Sequence, residues 1–322
     1  MGMLYEGKWR PDDVSAFARD GQNVSFASAF DGWVMEGWDA KHPVEKNRYT
    51  LYCNRTCPWS HRALITRELK GLADVVSLVL LEPAMGEEGW WFGASGEYSD
   101  PILNASHLHE LYSAADPNYT GRVSVPILWD KKLHTIVSND SGSIARMFNN
   151  HFNNLAELRG VDFCPDDLLG EIDKLNDYIG DYINDGIYRC LLASGQEDFD
   201  IAFDSLFFAL DRLEEQLSQS RYLLGSAITE PDWRFFPCLL RFDTIYYGLY
   251  NCNLRRIVDY PNLWGYTCDL YQTEGLQETI DFHAMKRGYY TIINSRRGDT
   301  IIPKGPLIDF NSPHQRHLLG SK

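Results

Sequence analysis

Between Arg48 and Leu81 the hydrophobic positions change period twice. Tyr49, Leu51 and Cys53 alternate with Thr50 and Tyr52 in the period of two that a strand requires, and from Pro58 the apolar positions Leu64, Ile65 and Leu69 fall at helical spacing. Val75 to Leu81 is then an apolar run broken by Ser77, which reads as a buried strand. An irregular stretch continues to Thr120, carrying Gly89-Trp90-Trp91-Phe92 and Asp116-Pro117-Asn118-Tyr119. Connections of that length inside a domain are usually functional or disordered, and the aromatic residues favour function. Val123 to Trp129 and Leu133 to Val137 are predicted strands joined by a turn at Asp130-Lys131-Lys132. Ser138 to Ser143 offers N-cap residues before Ile144, Ala145, Met147 and Phe148 take up helical spacing.

Residues 48–152 thus read as βαβ followed by ββα. Residues 1–47 read as an arm draped on this unit, with Trp9, Trp33 and Trp38 as anchors, and the polar residues 149–165 as a linker. Beyond it, 166–290 carries helical patterning with few strand signals, so 166–322 is assigned as an all-helical domain with a tail that wraps or frays. Thr229-Glu-Pro-Asp232 supplies a cap residue, an acid three positions on and a proline in the first turn, which is folding hardware.

Composition narrows the function classes. With 322 residues and 44% hydrophobic content the chain supports two domains with substantial cores. A net charge of −15 excludes an extended phosphate-binding surface, so neither nucleic acid nor an anionic membrane is an expected partner. The amino-terminal segment lacks a signal-peptide core and no apolar run spans a bilayer. Seven scattered cysteines imply a reducing compartment, and a cytoplasmic location is expected.

One of those cysteines is placed for chemistry. Cys57 precedes Pro58 where the strand pattern gives way to the helix, so its sulfur meets the unpaired N–H groups and positive dipole end of a first turn. Thiols so placed have pKa values of roughly 3.5–7.5 in place of about 8.5, and nearby Arg55 and Arg62 add positive charge. The competing reading is a buried core cysteine. Cys53, three intervening residues away, does not make a redox C-x2-C pair and reads as strand packing. Cys53, Cys57 and His61 could be drawn as zinc ligands, but no second pair supports it, and no metal is expected.

Cys57-Pro-Trp-Ser-His-Arg62, Gly89-Trp90, the block Gly121 to Lys132 containing Val125-Pro126, Thr135 to Ser141, Arg241 to Tyr246 and Tyr289-Tyr290 resemble the glutathionyl-hydroquinone reductases, the Xi class of the glutathione transferases. The resemblance implies an α/β thioredoxin-like amino-terminal domain followed by an all-α domain, glutathione as cosubstrate, and a homodimer. It implies that Cys57 is the nucleophile and that a cis Val125-Pro126 presents backbone to the tripeptide. Asp140 and Ser141 would hold the γ-glutamyl end, with Trp90 and Arg122 completing the pocket. Tyr188, Tyr246 and Tyr289 would orient the aromatic substrate and supply a proton. Taken singly, Asp140 and Ser141 also fit a helix cap, Trp90 a core position and Arg122 a solvated charge, and among 18 tyrosines packing is the commoner role. Asp140 stands where the family usually has Glu, and Gly288 where His is common. The expected activity is deglutathionylation of glutathionyl-hydroquinones. The alternatives are an omega-like thioltransferase or dehydroascorbate reductase, and a non-catalytic glutathione-binding module.

Overall fold

The computed structural model describes residues 2–11, 30–297 and 301–319. By contact density the chain divides into two units, Met1–Val161 with Asp281–Thr300, and Asp162–Ile280 with Ile301–Lys322.

The first unit is organised by a four-stranded sheet. Its strands are β5 (Tyr49–Cys53), β6 (Ser77–Leu80), β8 (Ile127–Asp130) and β9 (Thr135–Ser138), in the order β6-β5-β8-β9. β5 pairs parallel with β6 and antiparallel with β8, which pairs antiparallel with β9. Both faces are covered, so alternate residues enter different cores. Leu51, Cys53, Leu128 and Val137 pack with Leu64 of α1 (Pro58–Leu69) and with Ile144, Met147 and Phe148 of α3 (Ser141–Asn150). Tyr52, Val79, Ile127, Trp129 and Ile136 face the other way, against Leu108, Leu111 and Tyr112 of α2 (Leu108–Ala115).

Four expectations are corrected here. The stretch from 82 to 120 is not wholly irregular, because α2 lies within it. Nor is the amino-terminal segment only draped: β1 (Met3–Tyr5) and β2 (Lys8–Arg10) form a hairpin, and β1 also pairs with β7 (Gly121–Arg122). Of the proposed anchors, Trp9 stacks on His109, whereas Trp38 is 96% exposed and anchors nothing. Among the described residues a two-stranded parallel ladder, β3 (Val34–Met35) with β4 (His42–Pro43), completes the strands. The strand predicted from Val123 starts only at Ile127, after Pro126, which has no N–H to give to a ladder.

The second unit is helical. It contains α4 (Leu169–Tyr178), α5 (Asp185–Leu192), α6 (Gln196–Leu217), α7 (Glu230–Arg241), α8 (Tyr247–Leu249) and α9 (Pro261–Tyr271). Short π-helical turns at Ile179–Asn184 and Phe242–Tyr246 interrupt the α-helical run. On α6, Leu206, Leu210, Leu213 and Leu217 are buried at helical spacing. Thr229 caps α7 with Asp232 in a capping box, as the sequence predicted. Asp232 is fully buried and also accepts from Leu223 N at 3.0 Å and Tyr266 Oη at 2.7 Å. The tail wraps within this unit: Arg316 is buried and donates to the α6 terminal carbonyl of Leu217 at 2.8 Å, satisfying a helix end. The last helix, α10 (Phe282–Arg297), belongs by contact with the first unit, although its pattern continues the helical half.

Candidate active site

Cys57 is the N-cap of α1, half-buried, with extended backbone angles of φ −76° and ψ 123°. Its Sγ accepts from Ser60 N at 3.4 Å and lies 3.7 Å from the Val125 carbonyl oxygen. The sulfur therefore sits where a helix start favours negative charge.

The turn that presents it is tied by polar side chains that the sequence reading passed over. Asn54 is fully buried: its Oδ1 accepts from Thr56 N at 2.8 Å and its Nδ2 donates to Glu82 O at 2.6 Å. The first bond is an Asx-turn, so Asn54-x-Thr56 was a readable signal. Thr56 Oγ1 is 3.0 Å from Pro83 O and 3.2 Å from Ala284 O, which links the residue before Cys57 to α10. α10 approaches so closely at Gly288 that a Cβ there would lie 2.1 Å from Thr56 Oγ1.

The reading of Cys53 as strand packing holds, whereas that of Arg55 as added positive charge is modified. Cys53 is fully buried, and desolvation, reinforced by the neighbouring Cys57, pushes its thiol well up, so it remains a neutral packing group. Arg55 is not an unengaged cation beside the sulfur, because it pairs with Glu97 at 3.2 Å and Asp281 at 3.5 Å.

Trp90 and Val125 share one apolar cluster, and Cys57 packs against it. The Val125-Pro126 peptide is cis. Asp140 is the exposed N-cap of α3, with Oδ1 accepting from Ser143 N at 2.7 Å, and Ser141 is buried in the first turn. The cap reading of Asp140 therefore holds in the structure, with Oδ2 the oxygen left for another donor. Arg122 is exposed on β7, where it pairs in register with Met3.

The segments around Val125 and Asp140 are joined by Tyr112. Its hydroxyl donates to Ser124 O at 2.8 Å and accepts from Asn139 Nδ2 at 3.2 Å, while burial pushes its pKa up. Tyr112 escaped the sequence reading because α2 did.

The three candidate tyrosines divide between the units. Tyr188 on α5 and Tyr246 at the end of the second π turn lie in the helical unit, 6.3 Å apart by ring centroids. Tyr250 touches both, at 5.5 Å and 5.2 Å, and had not been singled out. Tyr289 lies on α10 in the first unit, 5% exposed and next to Gly288. Among the described residues no helix is long and apolar enough to cross a membrane.

Comparison with known proteins identifies the family and the fold. The glutathione S-transferase N-terminal domain family matches residues 56–151, and the glutathione S-transferase C-terminal domain family matches 196–267. The glutathionyl-hydroquinone reductase YqjG of Escherichia coli is 41% identical over 327 aligned positions, covering 99% of each chain. Glutathionyl-hydroquinone reductase PcpF of Sphingobium chlorophenolicum is 41% identical over 95% of this chain and 96% of its own. The solved structure of a Xi class transferase from Natrialba magadii superposes with a TM-score of 0.93 at 39% identity, covering 99% of this chain and 98% of the other. That of glutathione-bound YqjG gives 0.87 at 39% identity, covering 98% and 99%. A cysteine at a helix start, a thioredoxin-like sheet carrying it and near end-to-end kinship all lead to one family, and the chain belongs to the glutathionyl-hydroquinone reductases, the Xi class of the glutathione transferases.

Proposed function

We propose that this protein reduces glutathionyl-hydroquinones to hydroquinones with glutathione as cosubstrate, through a mixed disulfide on Cys57. The observation that carries the reading is the half-buried Cys57 sulfur at the start of α1, 3.4 Å from Ser60 N and 3.7 Å from Val125 O.

The Cys57 thiolate attacks the glutathione sulfur that is bonded to the aromatic ring. A sulfur–sulfur bond forms, the sulfur–carbon bond breaks, and the departing ring carbon takes a proton and leaves as the hydroquinone. A second glutathione thiolate then attacks the glutathione sulfur of the mixed disulfide, releasing glutathione disulfide and restoring Cys57. The aromatic substrate is reduced by two electrons and two glutathiones are oxidised.

Val125 backbone pairs with the tripeptide, Asp140 and Ser141 receive its γ-glutamyl end, and Trp90 and Arg122 close the pocket. With Asp140 Oδ1 engaged by Ser143 N, Oδ2 faces the ammonium and Ser141 with the α3 N–H groups faces the carboxylate. Tyr188, Tyr246 and Tyr289 orient the ring and donate the proton. The enzyme works as a cytoplasmic homodimer.

Mass analysis of protein incubated with a glutathionyl-hydroquinone tests the central step: one glutathione is expected on Cys57. Cys57→Ser should lose turnover and keep glutathione binding, and near wild-type turnover in that variant overturns the mechanism. Side-by-side rates with dehydroascorbate separate this activity from an omega-like one, the description carried by a 40% identical relative from Schizosaccharomyces pombe, "Glutathione S-transferase omega-like 2".

A further inference from the structure

Away from Cys57, the turn Gly86–Gly89 and the start of α2 bring three metal-ligating groups together. Glu88 Oε2 lies 3.1 Å from His109 Nε2 and 3.6 Å from His107 Nδ1, and one ligand atom from each residue falls within 4.8 Å of the others. Zinc bonds of about 2.0–2.1 Å arranged tetrahedrally require ligand atoms roughly 3.3 Å apart, so the first two separations already fit. Two imidazoles and one carboxylate, with a position left for water, form a donor set suited to borderline divalent transition cations.

The groups are held, which separates this cluster from a chance meeting of surface side chains. Gly86 and Gly89 bond each other's backbone, at 2.9 Å and 3.1 Å, and fix the tip that carries Glu88. The two imidazole rings are near parallel, 5.3 Å apart at 7°, and the indole of Trp9 stacks on His109 at 4.9 Å and 20°. Glu110 Oε1 accepts from His107 N at 2.9 Å, which fixes the backbone from which the first imidazole projects, and it also lies 3.5 Å from His107 Nδ1, so that nitrogen faces the carboxylates of both Glu88 and Glu110. Much of the ordering cost of a site is therefore met before an ion arrives.

We infer that Glu88, His107 and His109 form a divalent transition-metal site, with zinc as its natural size and geometry, distinct from the thiol chemistry at Cys57. The Trp90 carbonyl accepts from Leu108 N at 2.9 Å, between the two histidines, so a bound ion would clasp the Gly86–Gly89 turn to α2 across the Trp90 backbone.

The test uses the full chain with Cys57→Ser, because Cys57 is the one cysteine of the seven that is not buried and would otherwise compete for the metal. Equilibrium dialysis with Zn²⁺ should give one bound equivalent and a raised melting temperature. Co²⁺ should show visible ligand-field bands without a thiolate charge-transfer band. Glu88→Gln, His107→Gln and His109→Gln should each weaken binding by more than about tenfold, the loss that even an outer-shell change can give. Each variant should melt as the parent does when metal is removed. Binding unchanged in all three variants, a thiolate band, or no stoichiometric binding would overturn the assignment and leave an ion-paired surface cluster.

Discussion

Gly288→Ala adds one methyl group at the point where α10 meets the loop before Cys57. The new Cβ would lie 2.1 Å from Thr56 Oγ1 and 2.5 Å from both Thr56 Cγ2 and the Pro83 carbonyl oxygen. Ordinary carbon contacts sit at about 3.5–4.0 Å, so something must move by on the order of 1 Å. Pro83 O is backbone, and Thr56 cannot swing aside without giving up its bond to that same oxygen. Overpacking of this kind costs about 1–3 kcal/mol, and losing the Thr56 bond costs about 1 kcal/mol more. Replacing glycine by alanine within a helix returns about 1 kcal/mol, so a net loss of about 1–3 kcal/mol is expected. The effect on rate should be larger than the effect on stability. Thr56 precedes Cys57, the proposed nucleophile, and a displacement of about 1 Å at a reacting group can lower turnover on the order of 10²-fold. Thermal melts and kcat/KM on a glutathionyl-hydroquinone read the two effects. Gly170→Ala on α4, with no neighbouring atom within 4 Å of its Cβ, is the control and should be neutral or slightly stabilising. If Gly288→Ala melts and turns over like that control, the close approach does not position Cys57.

Removing the buried carboxylate of Asp232 leaves the donors Leu223 N, Thr229 N and Tyr266 Oη without their acceptor. Asp232→Ala should therefore cost more than about 3 kcal/mol in denaturant unfolding, against about 1 kcal/mol for Thr229→Ala, and equal effects would mean that only the helix cap matters. Asp130 supplies an acid-side test. Burial raises its pKa, but bonds from Arg48 at 2.7 Å and His42 at 2.9 Å, with two backbone N–H groups, carry it below the usual carboxylate value. Its stabilisation is present above the unfolded value of about 3.9 and is lost as pH falls through the lower folded value, because the unfolded chain takes up the proton first. The melting-temperature gap between wild type and Asp130→Asn should narrow through that window, and a constant gap would refute the assignment.

Local regularities were legible in the chain and distant pairings were not. β5, α1 and α3 were readable because period and capping agree over short spans, from Tyr49 to Leu69 and around Asp140. Helix α2 was hidden: its eight residues follow Pro101 and Asn104, and its N-cap position is held by His107, whose N–H bonds Glu110, in place of the usual Ser or Thr. β1 and β2 are three residues each, too short to show alternation, and the β7 partner of β1 is more than 100 positions away. Cys57 was found because its chemistry lies in the local sequence. Tyr112 and Thr56 act by reaching segments that sequence distance conceals, at Asn139 and at α10.

The π turn at Phe242–Tyr246 ends at Tyr246, one turn before Tyr250. An α-helix advances about 100° per residue, so lengthening or shortening this span by a single amino acid would rotate everything downstream by that angle. Tyr246 and Tyr250 would turn together away from Tyr188. In this part of the gene a one-codon insertion or deletion is thus a change of direction as well as of length.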